Sequence, residues 1–380
     1  LKGLGLFRLV AEQVDSDARC YWKNEQLVLE TKLADEELTA FLLNDYRPSP
    51  ILAPWGARSG FYSESSEKSA REAISAITQN TNARFSEFTT VYLEIRNLLK
   101  KYGFSEKPKD KEKLNLLRIC RNELPDCVLN WLDTCYVLTN DGRKFPPLVG
   151  TGGNEGSGSY VSGFTQMLVE VLINNPKSEC IKTALFDKQS SEKMVSQTFG
   201  QFNPFENGGP NSSTGFQSDP RCNGWDYILM MEGCLLFSSA VSNQLDSAQE
   251  GWLSCPFTVR PTGAGFATES YSEESGKFRS EIWLPIWNRP ISKSELDTLF
   301  SSGRATVGKK PAMTGLDFAR AVSCLGVDRG VSEFQRFGII ERLGRNNIAT
   351  PLDRLPVQRN RYVRLLEEID PWLDRFRSRA

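Results

Sequence analysis

The hydrophobic positions of this chain recur at two periods, and the clearer one is helical. Phe85, Phe88, Tyr92, Ile95, Leu99 and Tyr102 follow one another at steps of three and four, and the stripe stops at Gly103. This predicts a helix whose apolar face packs into the core or, alternatively, meets a partner. The stretches LKGLGLFRLVAEQ and ADEELTAFLLNDY also read as helices, and CYWKNEQLVLETKL between them reads as a short hairpin turning at Asn24. Pro48, Pro50, Pro54, Gly56 and Gly60 then interrupt regular structure. KPKDKEK (107–113) reads as a charged connector with a solvated face. Further on, YVLTNDGRKFPPLVG reads as strand, turn at Asn140-Asp141-Gly142, strand. Phe164, Met167, Leu168, Val171 and Leu172 return to helical spacing. Ser, Asn, Gly and Pro dominate 189–224, which predicts a long irregular loop or insertion that a partner could order. WDYILMMEGCLLFSSAV predicts a buried helix and SEIWLPIWNRP a strand. Ser292 and Glu295 form a capping box that opens a helix over SKSELDTLFSSG.

Together these elements predict an α+β protein in three parts. They are a mainly helical lobe over 1–135, a mixed central lobe over 136–300, and a basic module over 301–380. In the last part, TGLDFARAVSCLG fits a helix with Thr314 as N-cap and Asp317 three residues on. VDRG reads as a turn, VSEFQRFG as a second short helix, and IIERLGRNNIATPL as a hairpin with residues 344–347 at its tip. That order is a winged helix-turn-helix. Glu333, Gln335 and Arg336 would ride its exposed helix, and Arg345, Asn346 and Asn347 its wing tip. The alternative is an ordinary α+β subdomain.

Charge sharpens this picture. The net charge is −1, yet residues 301–380 carry 15 Lys+Arg against 9 Asp+Glu, while the rest carry 31 against 38. Thirteen of those 15 cations are arginine, whose planar fork binds phosphate or guanine edges in bidentate fashion. A local basic lobe on a near-neutral chain fits a polyanion bound at one face. Its candidate contacts are Arg304, Lys309 and Lys310 before the module, Arg329, Arg336, Arg345, Asn346 and Asn347 within it, and Arg359 and Arg361 after it. A second candidate is the glycine loop GTGGNEGSGSY, placed between a strand and a helix. Backbone N–H groups at Gly152, Gly153 and Asn154 could face a phosphate there, or the glycines could serve a structural turn. No Gly-Lys-Ser/Thr follows, so it is not a Walker loop.

The chain contains no histidine, which excludes Ser-His-Asp triads, Cys-His dyads and histidine bases. Nine scattered cysteines with no C-x-x-C suit reduced thiols and argue against a zinc site. No apolar run reaches the roughly 18 residues that span a bilayer, and no signal pattern opens the chain, so a cytoplasmic protein without cofactor is expected. The start at Leu1 and the end inside a helical pattern suggest a fragment.

Five segments, DYRPSPILAPWGARSGFY, GTGGNEG, WDYILMMEGCLLF, EIWLPIWNRP and TGLDFARAVSCLGVDRGVSEFQRFGIIER, in this order resemble the large subunit of the type I-G (formerly I-U) CRISPR Cascade complex. The resemblance covers nearly the whole chain, and the last segment is its most specific part. Family members continue past this end into a further helical region. The resemblance implies a non-catalytic subunit of an antiviral surveillance complex near the 5′ end of the crRNA. Its partners would be the backbone and crRNA-processing subunits and target double-stranded DNA. It would inspect the protospacer-adjacent motif and help open an R-loop, leaving cleavage to a separate helicase-nuclease. Alternatives are a nucleotide-binding enzyme using the glycine loop, and a purely structural assembly subunit.

Overall fold

A computed structural model describes residues 1–56, 58–62, 68–139, 142–155, 158–186, 195–196, 221–242, 252–260, 278–308, 310–342 and 346–362, with 365, 368, 369 and 372. Most of the expected insertion at 189–224, together with Lys309 and Arg345, lies outside the described residues.

The fold is α+β. Helix α1 (Lys2–Gln13) leads into the hairpin β1 (Arg19–Lys23) and β2 (Gln26–Glu30). Asn24 and Glu25 both hold positive φ, 48° and 68°, as a two-residue turn matched to strand twist requires. Helices α2 (Ser86–Lys101), α3 (Asp110–Glu123) and α4 (Asp126–Cys135) follow. Phe88, Ile95 and Leu99 of the predicted stripe are buried in α2. Next come the short hairpin β3 (Val137–Thr139) and β4 (Gly142–Lys144), the helix α5 (Tyr160–Val169) and the helix α6 (Gly224–Cys234). The C-terminal half adds β5 (Thr258–Val259), β6 (Phe278–Ile286), β7 (Ile291–Ser292), α7 (Lys293–Ser302), α8 (Gly315–Ser323), β8 (Glu333–Arg342) and β9 (Asn346–Pro356).

Helix α6 is buried along its length, and α1 lies directly against it. The approach is backbone to backbone. A Cβ on Gly5 would overlap the Leu229 carbonyl, and one on Gly233 would overlap the Leu1 carbonyl. This crossing also buries the carboxylate of Glu232 completely. A charge there must be paired. Arg8 Nη1 donates to Glu232 at 2.7 Å, the Tyr46 hydroxyl at 2.6 Å and the Ser49 N–H at 3.0 Å. Burial opposes the Arg8 charge, yet Glu232 and Glu12 hold its pKa above the ordinary arginine value. Those bonds tie the Tyr46–Ser49 segment down, and Ile51, Leu52 and Trp55 just beyond it are fully buried without regular structure.

Elements cross the boundaries expected at 135 and 300. Strand β1 pairs with β7 (Arg19↔Ser292, Cys20↔Ile291), α1 packs on α6, and β6 pairs with β8. One connected set of buried side chains runs from Leu4 to Ile339.

The C-terminal part is an antiparallel sheet in the order β5-β6-β8-β9, with α8 on one face. This corrects the winged helix-turn-helix expectation. The segment VSEFQRFG, expected as an exposed recognition helix, supplies the start of β8, a central strand paired on both sides. The step from Phe334 to Phe337 imitates helical spacing, but in a strand it sends the two rings to opposite faces. Phe334 goes under α8, where Phe318 meets it edge-on at 5.1 Å and stacks on Trp283 at 4.6 Å. The expected hairpin is present, and Arg342 pairs with Asn346 and Glu341 with Asn347 at its end. The Thr314 cap on α8 is present too, its hydroxyl accepting from the Asp317 N–H at 3.2 Å.

Candidate nucleic-acid interface

Two backbone donors of the glycine loop are spent internally. The Thr151 N–H donates to the Asn154 carbonyl at 2.9 Å, and the Gly153 N–H to the Val149 carbonyl at 3.2 Å. The Asn154 amide donates to the Thr151 and Gly152 carbonyls at 3.4 and 3.3 Å. Gly152 and Gly153 are buried, with φ of 71° and 83°, the region that favours glycine. A Cβ at Gly152 would overlap the Tyr136 hydroxyl, and one at Gly153 would meet Cys135 Sγ at 3.1 Å. The expected phosphate cradle at Gly152, Gly153 and Asn154 is therefore corrected to a structural turn. Its glycines let the loop lie on Trp131, Cys135 and Tyr136.

Arg336 is likewise corrected. It sits on β8 opposite Trp283, not on an exposed helix. Its Nε and Nη2 donate to the two oxygens of buried Glu281 at 2.8 and 2.7 Å, and Nη1 reaches Asp353 at 3.2 Å. Hydrogen bonding to Glu281 holds its pKa above the usual arginine value. A fork filled by a buried carboxylate is a structural clamp. Gly315 at the start of α8 is pressed onto the same carboxylate. Arg354 is also engaged, with Glu25 at 3.5 Å and Glu333 at 3.7 Å.

Other predicted cations converge. The last turn of α8 is the meeting point of three loops. The Thr306 N–H donates to the Gly326 carbonyl at 2.7 Å, and the Ser302 hydroxyl to Asp328 at 2.6 Å, docking the Arg304 loop on the Arg329 turn. The Asn360 N–H donates to the Ser323 carbonyl at 3.0 Å, which brings the Arg359–Arg361 segment to the same end of the helix. Arg304, Arg329, Arg359 and Arg361 are all exposed. The Arg361 guanidinium lies 4.7 Å from the centre of the exposed Tyr362 ring. Cations at a helix C-terminus also complement its dipole. Lys310 is exposed on a short ladder beside this cluster, paired Val307↔Lys310. Asn346 and Asn347 lie at the far hairpin end of the sheet.

A second basic group arises where the sequence pattern predicts only a solvated connector. Lys113 on α3 turns inward, its Nζ 5.5 Å from the centre of the buried Tyr136 ring. Burial, then the charges of Arg143 and Lys107, push its pKa down to about 8. The clue available in the sequence is the lysine density of 107–113, but its inward turn depends on tertiary packing. Among the described residues there is no cluster of metal-ligating side chains and no helix long and apolar enough to cross a membrane. Cys20, Cys120, Cys127, Cys135, Cys234 and Cys255 are free thiols.

Neither a scan against protein-family models nor a search of curated proteins finds a match for this chain.

Proposed function

We propose that this protein is a non-catalytic, nucleic-acid-binding subunit of a crRNA-guided surveillance complex, equivalent to the large subunit of type I-G Cascade. It meets target double-stranded DNA near the protospacer-adjacent motif. The observation that carries the nucleic-acid reading is the gathering of Arg304, Arg329, Arg359 and Arg361 around the C-terminal end of α8, with Tyr362 beside them. Four exposed guanidinium groups on loops tied to one rigid helix suit tracking of a phosphate backbone. The sequence resemblance supplies the rest: crRNA, backbone and crRNA-processing subunits as partners, a cytoplasmic setting, and cleavage by a recruited helicase-nuclease. Arg336 leaves the list of base-reading residues because Glu281 occupies it. With no histidine in the chain, imidazole chemistry is absent.

Co-purification tests this directly. The chain expressed with its neighbouring subunits is expected to carry a short RNA of defined 5′ end. It is also expected to retain motif-bearing duplexes over scrambled ones. An assembled complex without RNA, or one indifferent to duplex DNA, would reject the reading.

A further inference from the structure

Helices α2 and α8 end in the same backbone motif but on different residues. After α2 the Gly103 N–H donates to the Lys100 carbonyl at 3.2 Å and the Phe104 N–H to the Leu99 carbonyl at 2.8 Å, with Gly103 at φ 74°. After α8 the Leu325 N–H donates to the Val322 carbonyl at 3.3 Å and the Gly326 N–H to the Ala321 carbonyl at 2.8 Å, with Leu325 at φ 59°. Glycine is the residue this left-handed position favours, and a bulky side chain there is strained. Core packing does not account for the leucine. Phe257, at φ 50°, is buried against Phe300 and Phe334, whereas Leu325 is 51% exposed and no part of the buried core. Its place is nonetheless fixed. Gly326, the next residue, lies so close to the Thr306 carbonyl that a Cβ would overlap it.

We infer that Leu325 intercalates: it enters the minor groove of a duplex held by the arginine face, parts one base step and bends the DNA there. The inference rests on the reading that this face binds duplex DNA. Leu325 stands at the helix end around which Arg329, Arg359 and Arg361 lie exposed, the last two brought in by the bond from the Asn360 N–H to the Ser323 carbonyl. The exposed Tyr362 ring follows directly. Phosphate contacts alone need no apolar residue among them. Proteins that bend DNA from the minor groove combine arginine contacts with an inserted leucine, phenylalanine or methionine, and the unstacking is offset by the added contacts that the bend permits. Leu325 is an exposed apolar side chain held in a strained backbone at the centre of a basic face, which matches that role.

The test uses the full chain and two duplexes of about 30 base pairs, identical except for a flexible TA step or a stiff A-tract at the centre. Anisotropy reads affinity, dyes at the duplex ends read bending, and 2-aminopurine beside the TA step reads unstacking. The parent is expected to favour the TA duplex about fivefold or more, to brighten the 2-aminopurine and to bring the ends together. Asparagine tolerates the left-handed backbone, so Leu325→Asn should melt with the parent or roughly 1–3 °C above it. It should lose the TA preference, the bend and the unstacking signal, yet keep the salt slope, because no phosphate contact is removed. Leu325→Met should restore all three signals. Arg359→Ala with Arg361→Ala should instead flatten the salt slope. A parent that binds both duplexes without bending or unstacking them refutes intercalation and leaves the arginine reading standing. A parent that binds neither duplex refutes that reading and the inference with it. If Leu325→Asn keeps every DNA signal, the leucine is not the intercalating residue.

Discussion

Arg8 and Glu232 are a buried pair whose partners differ in what their loss would leave behind. Arg8→Met strands a fully buried carboxylate with only Tyr46 and Ser49 as donors. The expected cost is about 3–5 kcal/mol. Arg8→Met combined with Glu232→Leu should recover most of it, since an apolar replacement leaves no orphan charge. Urea unfolding of both variants checks the order. Lys113 gives the opposite sign. Its folded pKa, about 8, lies below the ordinary 10.5, so the unfolded chain holds the proton more tightly. The charge therefore opposes folding fully below pH 8, and the penalty fades as pH rises from 8 to 10.5. Lys113→Met should accordingly unfold at higher urea than the parent near neutral pH, and the gap should close near pH 10.5. A gap that widens with pH would show that the lysine is stabilising as a cation.

Among the elements, the glycine loop carries the clearest expectation. Gly152→Ala meets both a left-handed backbone and the Tyr136 hydroxyl. The backbone alone costs about 1–2 kcal/mol, so a lowered melting temperature is expected, measurable by calorimetry. A variant that melts like the parent but no longer binds nucleic acid would restore the loop as a cradle. Local patterns reported these elements unevenly. The stripe of α2, the Asn24 turn and the caps at Ser292 and Thr314 were legible because period and capping chemistry act over about four residues or fewer. The strand β8 was not, because its Phe334-to-Phe337 step fits a helix as well as a strand whose neighbours come from residues 278–286 and 346–356. For the candidate site, sequence pointed to the arginines but could not separate exposed Arg329 and Arg359 from Arg336, which buried Glu281 claims from 55 residues away. It missed Lys113, whose partner ring lies on another element.

Over the whole molecule, the charge imbalance has a testable consequence. Part of the basic charge of residues 301–380 is paired within the fold, Arg336 with buried Glu281 and exposed Asp353, and Arg354 with Glu25 and Glu333 at the surface. Among the described residues, Arg329, Arg359 and Arg361 lie exposed around the C-terminal end of α8. Replacing Arg359 and Arg361 with alanine should weaken binding to all duplex sequences alike. It should also flatten the log–log salt dependence by about 0.9 for each phosphate that is no longer neutralised. Arg336→Ala should instead unfold the chain more easily, because it strands Glu281. Binding isotherms at several salt concentrations, beside a melting curve, separate the two behaviours. An unchanged salt slope for the first variant would move the DNA face elsewhere.

The packing of α1 against α6 sets a timetable for synthesis. The glycines that touch, Gly5 and Gly233, are separated by more than two hundred residues, and β1 finds β7 only after position 291. A ribosome adds about 5–20 residues per second, so the first helix waits roughly 10–45 s before its partner emerges. Throughout that interval Phe7, Leu9 and Val10 have no α6 to cover them. Nascent chains of this protein should therefore depend on chaperones that shield apolar segments, and α1 should remain cleavable by protease until translation has passed α6.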